Sequence, residues 1–316
     1  MTDTALSRED LGGIVLGGNV FGWTADLDTT CAVLDAYVAA GGVAIDTSDM
    51  YPQWAPGRHG GESEEYLGEW LRRSGARDRV SIATKVGKWT GASGLAPDNI
   101  RTAVEASLRR LGTDRIDIYY AHRDDETVPQ ADYLGAFDDL VRAGSVRALG
   151  ASNFTADRLR SAGEIARING LTPFRYAQDQ WSLVERSVEL DLVPTLAAEG
   201  IVELPFAALA GGFLTGKYRP GVRVDSPRAG GAASYLAIRA NLALLEALDD
   251  LAATHRVAVA AVALAWLRAQ PTVGAPIASA RDPRQLEPLL QSLSLRLTDA
   301  EVSELSALTA PAPVTA

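Results

Sequence analysis

Two patterns of hydrophobic and polar positions alternate along the chain. Short apolar runs, many of them β-branched, at 14–17, 43–46, 80–84, 116–120, 146–150, 176–180, 201–205 and 273–277 predict buried strands. Longer stretches with apolar residues at three- and four-residue spacing, at about 28–40, 62–73, 97–110, 129–142, 155–168, 187–198, 238–254 and 283–291, predict amphipathic helices. Asp98 behind Pro97, and Thr155 with Asp157, supply helix-start signals. Eight strands alternating with eight helices imply right-handed crossovers and a parallel sheet. Polar residues stand just past most of the strands, which suggests sites ringed around a closed barrel rather than gathered at one switch point of an open sheet. The expected fold class is therefore α/β, a (β/α)8 TIM barrel. It is expected to form one domain over residues 1–316, ordered at about 11–308, with an extra C-terminal helix at about 298–308 and a loose Pro/Ala tail.

Two connections break the rhythm. About thirty residues separate Pro205 from the helix near 238, and they contain Gly211, Gly212, Gly216, Pro220, Gly221, Pro227, Gly230 and Gly231. Loops this long in a compact domain are usually functional or disordered. The second irregular stretch is Pro52 to Gly61.

Composition narrows the classes. With 316 residues, 47% hydrophobic and 22% charged, the chain can bury a large core. A net charge of −10 without basic clusters argues against nucleic acid as a partner. Cys31 is the only cysteine, so an intrachain disulfide is impossible. His59, His122 and His255 lie too far apart in sequence for zinc-ligand spacing, and no metal is expected. Met1 to Asp10 is polar and lacks an apolar signal core. No apolar stretch reaches the roughly 18–20 residues of a membrane span, and with a lone cysteine a reducing cytosol is the expected compartment. Without a secretion signal, the acceptor pattern at Asn153-Phe154-Thr155 is discounted.

Candidate chemistry lies on three successive strand-to-helix corners, which carry Asp46 and Tyr51, then Lys85, then His122. Reduction of a carbonyl needs a proton donor at the oxygen. Tyr51 offers a phenol, whose ordinary pKa is about 10. An ammonium at about 4 Å, at an effective dielectric of 20, attracts a phenolate by roughly 4 kcal/mol. That is about three pKa units before desolvation is subtracted. Lys85 is therefore expected to bring Tyr51 toward neutral pH, with Asp46 keeping Lys85 charged. His122 can hydrogen-bond the carbonyl oxygen. Taken alone, Asp46 and Lys85 would read equally well as a structural ion pair, and His122 as a satisfied core residue. It is the set of four that favours a site.

These residues sit in segments that closely resemble the aldo-keto reductases. The segments are Ile45-Asp46-Thr47-Ser48-Asp49-Met50-Tyr51, Ala83-Thr84-Lys85-Val86-Gly87 and Tyr119-Tyr120-Ala121-His122-Arg123. The likeness continues through Gly150-Ala151-Ser152-Asn153-Phe154, the run from Gln178 to Arg186, and Gly212-Phe213-Leu214-Thr215-Gly216-Lys217-Tyr218, and spans about 16–308. The resemblance implies a (β/α)8 barrel without a Rossmann domain and NADPH-dependent reduction of an aldehyde or ketone, with Asp46, Tyr51, Lys85 and His122 as the catalytic tetrad. It places Ser152, Asn153 and Gln178 at the nicotinamide carboxamide and Trp181 on the nicotinamide ring. It assigns the Phe206–Tyr218 segment, with Leu209, Gly212 and Lys217, to the pyrophosphate. Ser279, Arg281 and Gln285 match positions near the adenosine 2′-phosphate. NADPH (NADP+) is thus expected in preference to NADH. The chain departs from the family pattern at Phe206-Ala207-Ala208-Leu209, which loses a hydroxyl, at Pro288-Leu289 on the adenine side, and at Asp282, which would repel a 2′-phosphate if it pointed inward.

Trp23, Trp54 and Trp89 lie at or near the first three strand ends, where they would line an apolar substrate pocket or pack the rim. Trp70 and Trp266 are assigned to packing. Gly211 to Lys217 mimics a phosphate loop, but Tyr218 stands where the magnesium-binding hydroxyl is needed. Two rival functions stay open: a lyase using Lys85 as a Schiff-base nucleophile, and a barrel that senses NADPH with little turnover. The partner expected in the leading reading is a small-molecule carbonyl substrate.

Overall fold

The computed structural model describes residues 10–310. The polar start read at Met1 to Asp10 and the tail beyond 310 lie mostly outside that range. Eight strands form one sheet: β1 Val15–Gly17, β2 Ala44–Asp46, β3 Ser81–Val86, β4 Ile116–Ala121, β5 Val146–Ser152, β6 Phe174–Gln178, β7 Val202–Glu203 and β8 Ile277–Ala278. Their order is β7-β6-β5-β4-β3-β2-β1-β8, and every pairing is parallel. The amides of Gly274 and Ile277 donate to the carbonyls of Glu203 and Pro205, both at 2.8 Å. These bonds draw the two outer strands of that order together. The architecture is α/β of the (β/α)8 type.

Helices cover the outside. They are α1 Leu27–Ala39, α2 Glu62–Ser74, α3 Pro97–Leu111, α4 Gln130–Arg142, α5 Ala156–Asn169, α6 Leu192–Glu199, α7 Ala229–Ser234, α8 Arg239–His255, α9 Val259–Arg268, α10 Leu286–Ser294 and α11 Asp299–Leu308. Helix α11 starts at a reciprocal capping box between Thr298 and Glu301. No single helix among the described residues is long and apolar enough to cross a membrane.

The burial pattern explains the element pattern. Inward-pointing residues such as Val15, Ile118, Tyr120, Tyr176 and Leu204 fill the space enclosed by the strands. A larger apolar layer, including Leu34, Leu67, Val104 and Phe137, fills the space between strands and helices. Strands apolar on both faces read as continuous hydrophobic runs, which is why they are easy to find in sequence. Close packing sets two glycines. A Cβ on Gly150 would stand 2.3 Å from the Tyr120 ring, and one on Gly68 would stand 2.1 Å from the Arg110 carbonyl oxygen, where α2 crosses α3.

Four element expectations are corrected. The span 187–198 is a 3₁₀ turn at Ser187–Glu189 followed by α6, not one helix. Helix α9 was not expected. Its residues are apolar almost all round and nearly all buried, so no amphipathic period marks it. The seventh and eighth strands are short, and 273–276 approaches the strand ladder mainly through single bridges and hydrogen bonds. The long connection after Pro205 is not irregular throughout: it contains the 3₁₀ segment Ala210–Thr215, α7 and the 3₁₀ turn Tyr235–Ala237.

Candidate active site

Asp46 ends β2, Lys85 lies near the end of β3, and His122 follows β4, so three adjacent parallel strands deliver them to the same end of the sheet. Lys85 is 0% exposed. Its Nζ donates to Asp46 Oδ1 and Oδ2, each at 2.7 Å, to the Thr47 carbonyl at 2.7 Å, and to the Tyr51 hydroxyl at 3.3 Å. Burial alone would strip Lys85 of its proton. The Asp46 carboxylate, Tyr51 and their hydrogen bonds outweigh it and hold the ammonium above its ordinary pKa. The Tyr51 and His122 rings stand 6.1 Å apart, edge to face. Burial, reinforced by Lys85, Lys88 and Arg123, holds His122 well below the usual histidine range, so the imidazole is neutral.

The expectation for Tyr51 is overturned. Its pKa is raised, not lowered. Burial is the largest cause. Lys85 opposes it, but the Asp46 carboxylate that keeps Lys85 charged also pushes the phenol up. Burial decides the direction, and the ammonium considered alone gives the wrong sign. Tyr51 is a neutral phenol at pH 7.

Two of the four, Asp46 and Tyr51, border a cavity of about 480 Å³. Phe206, Leu209, Gly212, Lys217, Ser279, Arg281 and Gln285 all line it, as do Asp46, Tyr51, Trp23 and Trp54. Ala207, Ala210, Gly211 and Gly212 all carry positive φ, which wraps the segment after β7 tightly around the cavity. Gly17 lies across from Ser279, whose Oγ a Cβ would meet at 2.6 Å. Asp282 does not aim inward: it caps the turn at Pro283–Gln285 and binds Arg284.

Other predicted residues are engaged elsewhere. Gln178 donates its amide to Asp46 Oδ1 at 2.8 Å. The Ser152 hydroxyl donates to the Gln178 carbonyl at 2.6 Å. Asn153, at φ 57°, donates its side-chain amide to the His122 carbonyl at 3.0 Å and to Ser152 Oγ at 2.8 Å. These three side chains are thus linked to the tetrad, and none lines the cavity. Trp181 is a correction. Its ring is 1% exposed, packs edge-on against Trp266, and donates its indole N–H to Glu189 at 2.8 Å. It has no free face for a ligand, whereas the Phe206 ring lines the cavity. Trp89 is also corrected: it donates to the His59 carbonyl at 2.7 Å and does not line the cavity.

Arg228 was missed. It lies in the long connection and lines the cavity with its guanidinium 5.4 Å from the Trp23 ring. No periodicity places a loop residue opposite a strand end, so nothing in the sequence marked it.

The cavity walls hold an unbalanced charge. Among the described residues, Lys217, Arg228 and Arg281 have no carboxylate partner. Burial and then mutual repulsion pull Lys217 and Arg228 below their ordinary values. Three such cations, strained left-handed backbone and a glycine-lined wall fit a polyphosphate. A nicotinamide dinucleotide therefore fits the residues present.

The sequence profile of the Aldo/keto reductase family matches residues 13–310. The chain is 33% identical to an aldo-keto reductase of Aspergillus calidoustus, over 96% of this chain and 78% of that protein. It is 31% identical to a norsolorinic acid reductase of Emericella nidulans, over 93% of this chain and 76% of that protein. It is 37% identical to aflatoxin B1 aldehyde reductase member 4 of Homo sapiens, over 65% of this chain and 60% of that protein. The chain belongs to the aldo/keto reductase family.

Proposed function

We propose that this protein reduces an aldehyde or ketone to an alcohol with NADPH, using Tyr51 as the proton donor. The observation that carries the reading is the charged Lys85, 3.3 Å from the Tyr51 hydroxyl, beside a cavity whose far wall holds three cations without counter-ions. Lys217, Arg228 and Arg281 would hold the phosphates, and their combined charge favours the extra 2′-phosphate of NADPH over NADH. Phe206 would flank the nicotinamide. When bound, the reduced cofactor supplies hydride to the carbonyl carbon.

The protein's own groups handle the proton. Tyr51 keeps its proton at neutral pH and borders the cavity. As negative charge grows on the carbonyl oxygen, that oxygen becomes a stronger base than the phenolate beside Lys85, and the proton transfers. The phenolate left behind is stabilised by the Lys85 ammonium. Asp46 prevents Lys85 from giving up its own proton in place of Tyr51. His122, neutral and adjacent, is placed to hydrogen-bond the same oxygen. Trp23 and Trp54, 5.9 Å apart and edge to face, give the cavity mouth an aromatic wall suited to an apolar carbonyl compound.

The same geometry speaks against a Schiff-base lyase. A lysine held protonated by a carboxylate and fully enclosed has no lone pair to attack a carbonyl. The test is NADPH oxidation, followed by absorbance, over a panel of small, aromatic and keto-sugar carbonyls, repeated with NADH. Turnover with NADPH is expected. Borohydride trapping of substrate on Lys85 would favour the lyase, and tight NADPH binding without turnover on any panel member would favour a sensor.

A further inference from the structure

Behind His122 stand side chains that the proton transfer above does not use. Ser48 and Asp49 follow β2 directly. Ser48 Oγ lies 3.1 Å from His122 Nδ1 and 3.1 Å from Asp49 Oδ1, and it accepts the Met50 N–H at 3.3 Å. The hydroxyl has one proton. With the Met50 amide on one lone pair, it donates to one of its two neighbours and accepts from the other. Asp49 is 3% exposed, and its Oδ2 has no hydrogen-bond partner. Among the described residues the His122 ring makes its hydrogen bond through Nδ1, which leaves Nε2 for a ligand.

We propose that Asp49, acting through Ser48, is a positioning residue that selects the tautomer of His122. When Asp49 is a carboxylate, Ser48 donates to it, and His122 donates its Nδ1 proton to Ser48. Nε2 is then a bare lone pair that repels a carbonyl oxygen. When Asp49 is the neutral acid, its O–H donates to Ser48 and Ser48 donates to Nδ1. The imidazole proton then sits on Nε2, where it can hydrogen-bond the oxygen. The two states differ by one proton, taken up by Asp49, and by the move of the imidazole proton from one ring nitrogen to the other through solvent.

The surroundings set the range in which this happens. Burial, followed by the Glu64 carboxylate, pushes Asp49 up to about 7, against the pull of Ser48, Arg110 and Lys85. The buried Tyr119 phenol also feels the Asp49 charge. Lys85, Lys88 and Arg123 face His122 and add to the burial that keeps it uncharged, so its tautomer and not its charge is what changes. The consequence for turnover rests on the reductase reading; the tautomer is a property of the protein alone.

Nitrogen NMR of imidazole-labelled protein tests the proposal directly, because only three histidines contribute. The His122 signal is expected to report Nε2–H at pH 6 and Nδ1–H at pH 8.5. In Asp49→Asn, whose amide can donate to Ser48 at any pH, Nε2–H is expected at both. In carbonyl reduction, wild-type kcat is expected to fall about tenfold per pH unit above the Asp49 midpoint, and Asp49→Asn and Ser48→Ala to lose that limb. An unchanging wild-type tautomer between pH 6 and 8.5, or Asp49→Asn titrating like wild type, overturns the proposal. The wild-type spectrum decides even if a variant fails to fold, and it decides whether or not any carbonyl on the panel turns over.

Discussion

At the residue scale, the site is a balance of two charges and a phenol. Tyr51 stays protonated because its burial and the Asp46 carboxylate together outweigh the Lys85 ammonium. Replacing the phenol by Tyr51→Phe removes the proposed proton donor and leaves the cavity wall in place. A loss of roughly 10²–10⁴-fold in kcat is expected, the usual size of an acid–base contribution. NADPH affinity, measured by fluorescence quenching, should hold; unchanged turnover would remove Tyr51 from the chemistry. Asp46 has a different task. Asp46→Asn takes the counter-ion from a fully enclosed ammonium, so a stability loss of about 3–5 kcal/mol is expected in urea unfolding. The Thr47 carbonyl and the Tyr51 hydroxyl would be left as its partners, and neither carries charge.

The four tetrad residues were legible in the sequence because each is a polar residue at or just beyond a short apolar strand. That spacing survives folding, since parallel strands deliver their ends to one face. The sign of the Tyr51 shift was not legible. It depends on how much of the phenol is enclosed and on the distance to both members of the ion pair, and neither follows from spacing. Trp181 shows the same limit: a Trp one strand-end away from a site reads as a ligand platform until packing shows its ring sealed against Trp266.

At the scale of elements, the seam between β6 and β7 carries a cost. Glu203 Oε1 accepts the Asp179 amide at 2.9 Å, while its Oε2 is buried without a partner. Asp179 accepts the Asn153 amide at 2.9 Å, which supports the left-handed turn after β5. Burial and then the nearby Asp179 raise Glu203 well above the ordinary carboxylate range. The folded state therefore binds this proton more tightly than the unfolded chain does. Its stabilising effect is fully present below the unfolded value of about 4.3 and is lost as pH rises through the folded value. Glu203→Gln keeps the acceptor and removes the charge. Its melting temperature is expected to fall less than that of wild type between pH 5 and pH 8.5; parallel curves for the two proteins would contradict the assignment. Helix α9 belongs to this scale too. Amphipathic helices announce themselves through one wet face, and α9 has almost none, so its hydrophobic run resembles other buried segments until α8 and α10 are seen to enclose it.

At the scale of the whole molecule, the cavity is assembled from segments far apart in sequence. The first strand end supplies Gly17, the loop after β7 supplies Lys217 and Arg228, and the loop after β8 supplies Arg281. The net charge of −10 is thus set against a local concentration of positive charge inside one cavity. Arg281→Ala should lower kcat/KM with NADPH by one to two orders of magnitude, the scale of a charge-assisted phosphate contact, and change NADH little. Equal losses with both cofactors would show that Arg281 does not read the 2′-phosphate. The affinity for NADPH should also weaken as salt rises, because part of the attraction is screened.

What this sequence determined by itself was the alternation of strands and helices, the class of fold that follows from it, and the four residues that share one end of the sheet. Those are consequences of local periodicity and of chain order, which a one-dimensional pattern records. Tertiary structure alone decided the neutral state of Tyr51, the seating of Trp181 in the core, the inward turn of Arg228 and the contact from Ser48 to His122. Each of these depends on enclosure or on distance between segments remote in the chain, and electrostatic energy in a protein follows those two quantities rather than sequence separation.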